Sequence, residues 1–285
     1  MTLAARLAPH LPDRVIAATA HRVYPRFEPE LRRLADFCPR GGTAVDIGGW
    51  YGPWTRRLAR RADRVVTVEP VPGLARALRA TTPGNVRVVG AAAGEHDGTA
   101  TLWLPPGGTG ERGVSSLVRR DQVHATGLEV PCVSVDGLGL TDVRLVKIDV
   151  DGHEAAVLRG AEATLRRWRP ALFVELETRI QPLAPVLELL TAHGYEGWVL
   201  PAAHWIPLAA FNLAEHQEHT AHVAEHGLLR RTLLPHRRYV NSVLFLPTGR
   251  TPAIEVPRAA RRAPPPPRGP AGPLPRGSAG PPSRP

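Results

Sequence analysis

Apolar residues in this chain recur in two patterns. Short β-branched and aliphatic runs at 44–47, 65–68, Val86–Val89, 143–149, 170–177, 195–200 and 239–246 read as strands. Between them lie stretches of helical period at 53–62, 73–80, 154–168 and 183–193, the last ended by Gly194. Residues 1–40 read as one or two helices, with an amphipathic face over 29–37. Two further strands, Gly98–Leu104 and 128–133, flank a Gly- and Ser-rich loop at 105–116. Strands alternating with helices predict an α/β domain with a parallel sheet covered on both faces, and ligands in such sheets sit at the strands' C-terminal ends.

Composition changes this picture little within the body of the chain. Its 285 residues are 43% hydrophobic, enough for a full core. Of the formal charge of +10, the segment from Arg250 onward carries seven Arg against one acid, so the rest of the chain is only mildly basic. That segment is rich in Pro and Gly, has no periodic apolar face, and is expected to be a disordered tail from 250 to 285. The expected organisation is a helical segment at 1–40, one α/β domain at 41–249, and this tail. Lys147 is the one Lys in the chain, so basicity here is an Arg bias rather than a signal for nucleic acid. Cys38 and Cys132 are far apart, which suits a reducing, cytoplasmic compartment. No stretch reaches the roughly 18 apolar residues of a membrane span.

The chemistry concentrates at strand ends. The first strand runs into Asp46-Ile47-Gly48-Gly49-Trp50-Tyr51-Gly52-Pro53, a bend that lets a ligand approach bare backbone, followed by a helix start. A dinucleotide fingerprint in this register needs Gly at position 47, where Ile stands. The pattern D-x-G-G-x-x-G instead resembles the first motif of the S-adenosyl-L-methionine (SAM) methyltransferases. Glu69 closes the second strand seventeen residues past Gly52, and its two oxygens match the two hydroxyls of a ribose. The small residues Ala91 and Ala92 after the third strand leave space for a base. Asp46, Glu69, Asp149 and Glu175 all fall at or near strand ends.

Taken together, these motifs resemble the FkbM family of SAM-dependent methyltransferases over roughly residues 28–247. The carriers are Val45-Asp46-Ile47-Gly48-Gly49-Trp50-Tyr51-Gly52, Glu69-Pro70, Val133-Ser134-Val135-Asp136, Lys147-Ile148-Asp149-Val150-Asp151-Gly152-His153-Glu154, Val157-Leu158-Arg159-Gly160-Ala161 and the strand ending in Glu175. Asn241-Ser242-Val243-Leu244-Phe245 is similar to the family's closing strand. Trp50 stands where the family has Asn, and Asp151 where it has Glu.

The resemblance implies a Rossmann-like, mostly parallel seven-stranded sheet with an antiparallel last strand. It also implies methyl transfer from SAM, to a hydroxyl of a small molecule or glycan. SAM-contacting residues would be Asp46, Gly48, Gly49, Trp50, Tyr51, Gly52, Glu69, Ala91 and Ala92. Asp149 is the first candidate for taking the acceptor's proton, with Glu154, His153 and Lys147 beside it. Asp149 and Asp151 alone supply too few oxygens for Mg²⁺, so no metal is expected. His216, His219, His222 and His226 share a helix sector, interleaved with Glu, and read as a solvated face. Two alternatives stay open: an RNA or protein methyltransferase guided by the basic tail, and a SAM-binding protein without catalysis. The acceptor and the oligomeric state are not encoded in any motif.

Overall fold

The computed structural model describes residues 13–104, 126–224 and 238–253. The tail from 254, the loop at 105–125 and His226 lie outside the described residues.

Strands β1 (Thr43–Ile47), β2 (Arg64–Val68), β3 (Val86–Val89), β7 (Val143–Ile148) and β8 (Ala171–Glu175) form the parallel centre of the main sheet. β11 (Ser242–Pro247) runs antiparallel between β8 and β9 (Tyr195–Val199). The order is β10-β9-β11-β8-β7-β1-β2-β3. This is the Rossmann-like arrangement, with eight strands rather than seven because the two-residue β10 (Ile206–Pro207) adds to the edge.

The strands are near-continuous apolar runs because both faces are covered. Alternate residues divide between two cores: Val45, Ile47, Val66, Val68, Val146 and Ile148 on one face, Ala44, Val65, Leu145 and Phe173 on the other. Helices α2 (Pro53–Leu58), α3 (Pro72–Thr81), α4 (Glu154–Arg159), α5 (Glu162–Trp168), α6 (Ala184–Ala192) and α7 (Leu213–Ala224) complete the connections. A smaller sheet is built from β4 (Ala92–Ala93), β6 (Thr126–Val133) and β5 (Gly98–Leu104), the last two antiparallel.

Two expectations change. Helix α1 (Asp13–Val23) forms, but residues 29–37 do not make an α-helix; they are 3₁₀ turns at Pro29–Arg32 and Leu34–Asp36. Leu31, Leu34 and Phe37 are spaced by three, which matches the 3₁₀ period and aligns all three in one buried row. The helix expected over 154–168 is two helices, broken at Gly160. There the Gly160 carbonyl accepts the Asp136 N–H, while the Asp136 carboxylate accepts the N–H groups of Ala163 and Thr164 and so caps α5.

Gly160 packs so closely that a Cβ would stand 2.1 Å from the Gly94 carbonyl oxygen. Gly139 is the opposite case, with φ +63° and open space around it. Urea unfolding will therefore rank the two substitutions: Gly139→Ala costs about 1–2 kcal/mol of left-handed strain, and Gly160→Ala costs ~3 kcal/mol or more because backbone must move.

Candidate functional site

Register sets the centre of the site. Pairing of β1 with β7 places Asp46 opposite Lys147, on the same sheet face. Both are buried, at 0% and 4% exposure, and the Lys147 ammonium lies 3.7 Å from Asp46 Oδ1. Asp46 Oδ2 accepts the Thr55 hydroxyl at 2.5 Å, and Thr67 donates in turn to Thr55. Lys147 Nζ also donates to the Gly48 carbonyl at 2.9 Å and to Asp149 Oδ2 at 3.0 Å. Burial works against the charge of Lys147, but Asp149, Asp46 and Glu28 outweigh it and raise its pKa.

The loop after β1 is held from inside. Gly48 adopts φ +79°, and a Cβ on it would meet the Asp149 carbonyl oxygen at 2.0 Å. The N–H groups of Gly48 and Gly49 both donate to the Val68 carbonyl, and that of Gly52 to Gly49. Trp50, at φ +48°, donates its N–H to Glu69 Oε2 at 2.8 Å, and Val71 donates to Glu69 Oε1 at 2.9 Å. Glu69 is 4% exposed, and burial pushes its pKa up to about 7 against these two bonds.

A hollow of about 320 Å³ opens above this floor. It brings together Gly48, Gly49, Trp50, Glu69, Lys147 and Asp149 from the predicted set. It adds Tyr24, Pro53, Trp54, Asp151 and Glu175. Four of these residues are acids and one is a cation. Glu28 stands behind, accepting the Trp54 indole N–H, and burial lifts its pKa to about 7. Burial, then the Asp149 charge, raises Glu175 well above the carboxylate range, and Asn241 donates to its Oε1.

The other predicted residues sit elsewhere. Asp46 lies beneath the hollow, spent on Thr55 and Lys147. Tyr51 is buried against α1 and α3, with its carbonyl 3.0 Å from His21 Nε2. Gly52 turns the chain into α2 at φ +80°. Ala91 and Ala92 are buried rather than lining the hollow, because Ala92 is taken into the small sheet against Cys132. His153 is half-buried, its pKa lowered by burial and by Arg159. Glu154 is 2% exposed, and its carboxylate accepts from Gly152 N–H and from Gln181. Tyr24 and Glu28 were missed, since they precede Gly48 by twenty residues or more with no pattern tying them to it.

On α7, His216 Nε2 lies 2.9 Å from the Arg238 carbonyl and His219 Nδ1 2.8 Å from that of Glu215. Among the described residues no cluster of three or more His, Cys, Asp or Glu is arranged to hold a metal, and no helix is long and apolar enough to cross a membrane.

The family model for the Methyltransferase FkbM domain matches residues 24–197, from Tyr24 on the hollow's wall into β9. The chain belongs to the FkbM methyltransferase family. Among solved structures, this FkbM chain is similar to a methyltransferase FkbM from Methylobacillus flagellatus KT, with 16% identity and TM-score 0.43. That match covers 81% of this chain and 60% of the other, so the chain spans about 60% of that protein's length. It is also similar to a precorrin-6y C5,15-methyltransferase from Geobacter metallireducens GS-15, with 14% identity, TM-score 0.40, and coverage of 76% and 84%. A putative methyltransferase from an antibiotic biosynthesis pathway of Anabaena variabilis ATCC 29413 matches at 13% identity and TM-score 0.40, covering 76% and 96%. No curated protein matches the chain in sequence.

Glu154 gives this FkbM domain a pH dependence that can be isolated. Burial raises its pKa from 4.5 to about 7. The folded state therefore holds a proton that the unfolded chain releases between those values, and stability falls as pH rises through them. Glu154→Gln keeps the shape and removes the titration. Urea unfolding at pH 5 and pH 8 will show the variant gaining on the wild type by about 2–3 kcal/mol across that interval.

Proposed function

We propose that this FkbM domain binds SAM in the hollow beside the Gly48–Gly49 bend and methylates a hydroxyl of a small molecule or glycan. The observation that carries the reading is electrostatic. Glu69, Asp149, Asp151 and Glu175 face a hollow with Lys147 as its lining cation. Such a lining attracts a positively charged ligand and repels a pyrophosphate. The loop agrees, because Gly48, Gly49 and Trp50 all spend their N–H groups on protein acceptors. An anion-binding loop leaves such groups open.

The residues present fit a nucleoside sulfonium. Glu69 keeps one acceptor position on each oxygen after binding Trp50 and Val71, which suits two adjacent hydroxyls. Asp149 and Glu175 suit the sulfonium charge, the positive group that the demethylated product lacks. The volume falls within the range of roughly 300–1,000 Å³ typical of small-molecule sites. When bound, SAM supplies an electrophilic methyl on sulfur. The chain's own task is then to hold an acceptor oxygen in line with that carbon and to remove its proton. Positioning of this kind lowers barriers by about 7–11 kcal/mol in favourable cases. Asp149 takes the proton, being the candidate acid that lines the hollow, with Lys147 fixing its Oδ2. Tyr24, Trp50 and Trp54 form the apolar part of the wall and limit water there.

Titration calorimetry with S-adenosyl-L-homocysteine (SAH), the demethylated product, tests the site. Wild type will bind saturably, and Glu69→Ala will weaken binding at least about tenfold, or 1.4 kcal/mol. A radiolabelled methyl-transfer screen over sugars, polyketides and lipids tests the reaction. With an accepted substrate, Asp149→Asn will slow transfer about 100-fold or more while SAH affinity stays within a few-fold. Absence of any saturable SAM or SAH binding would overturn the reading.

A further inference from the structure

Two carboxyl groups stand together in the hollow. Asp149 follows β7 and Glu175 ends β8, the adjacent parallel strand, whose pairing runs to Ile148 opposite Val174, and both side chains line the hollow. Like charges brought together in a buried site do not both ionise readily, so the pair holds one proton between them. The remaining partners order the two. Lys147 donates to Asp149 Oδ2 at 3.0 Å. Asn241 donates to Glu175 Oε1, leaving the other oxygen of Glu175 to carry the proton. The acids and bases facing Glu175 are Glu28 and Tyr24 from the N-terminal segment, Asp149 and Asp151 after β7, and Lys147 within it. Glu177 shares the Asn241 amide. Lys147 is the cation in that set, and it is already committed to Asp149, Asp46 and the Gly48 carbonyl.

We infer that Glu175 is a proton-holding partner of Asp149: the pair carries one proton when the hollow holds no ligand cation, releases it when SAM binds, and recovers one from the acceptor hydroxyl during methyl transfer. The inference rests on the SAM reading above and deepens it. Its charge balance closes. In the loaded site two ionised carboxylates face one added positive charge. As the acceptor O–H bond breaks, its proton passes to the pair. The oxygen's electron pair forms the new bond to carbon, and the pair from the broken carbon–sulfur bond stays on sulfur. The ligand is then neutral and the carboxyl pair is again singly protonated, which is the state the empty site prefers. Glu175 thus acts through Asp149, as a positioning residue. The upward displacement of the Glu175 pKa, from burial and the neighbouring charge of Asp149, agrees with this assignment.

Calorimetry in buffers of different ionisation enthalpy counts the protons exchanged on binding. At pH 7 the wild type is expected to release about one proton more on binding SAM than on binding SAH, any release from Glu69 being common to both ligands. Glu175→Gln keeps the geometry, since its amide NH₂ can donate to Asp149 and its oxygen can accept from Asn241. In that variant the excess with SAM disappears, while SAH affinity stays within about threefold of wild type, a change of less than ~0.7 kcal/mol. Glu28→Gln leaves the excess in place. Equal release with SAM and SAH in the wild type, or an excess persisting in Glu175→Gln, would overturn the inference. So would its loss only in Glu28→Gln. If neither ligand produces a binding heat, the SAM reading itself fails, an outcome distinct from binding without a charge-dependent proton count.

Discussion

A lysine held inside a sheet organises this domain. Burying an ammonium costs several kcal/mol unless its charge is answered, and removing one partner of a buried pair costs about 3–5 kcal/mol. Here the answer comes from strand register, which sets Asp46 of β1 opposite Lys147 of β7. The same ammonium reaches the Gly48 carbonyl and Asp149. One charge thus locks two adjacent strands, the turn of the Gly48–Gly52 loop and the orientation of an acid at the rim. Thr55 and Thr67 complete the floor by giving the Asp46 carboxylate a hydroxyl donor.

Above that floor the balance reverses. The lining is acid-rich, and the loop beside it has turned its N–H groups inward. A Gly-rich bend after a first strand serves several ligand classes, and Ile47 weighs against the dinucleotide pattern in sequence. The destination of three hydrogen bonds, from Gly48 and Gly49 to Val68 and from Trp50 to Glu69, supports the proposed reading against an anionic ligand. Glu69 is thereby part of the loop's own framework, as well as a group that faces the hollow.

Much of this was legible in the chain, because the strands are buried on both faces and read as uninterrupted apolar runs. The acids Asp46, Glu69, Asp149 and Glu175 stood out as charges ending such runs, and the FkbM motifs ordered them. Gly160, a motif position with no chemistry of its own, proves to be a contact against Gly94 backbone, which spacing alone cannot express. Three things were not legible. Tyr24 lines the hollow and Glu28 stands behind it through tertiary packing of the stretch between α1 and the 3₁₀ turns, which no motif marks. Ala92 pairs with Cys132, forty residues away, so its small side chain serves a second sheet. Glu154 follows Asp149 closely in sequence, but α4 turns its carboxylate inward to Gly152 and Gln181.

The Arg bias of this chain has a practical side. Because Lys147 is the one lysine and is 4% exposed, amine-directed crosslinkers and dyes have almost nothing to react with beyond the α-amino group. Isotopic enrichment in lysine alone would, conversely, place a single magnetic-resonance reporter at the floor of the hollow. The reporter is native to the chain and needs no mutation to create it.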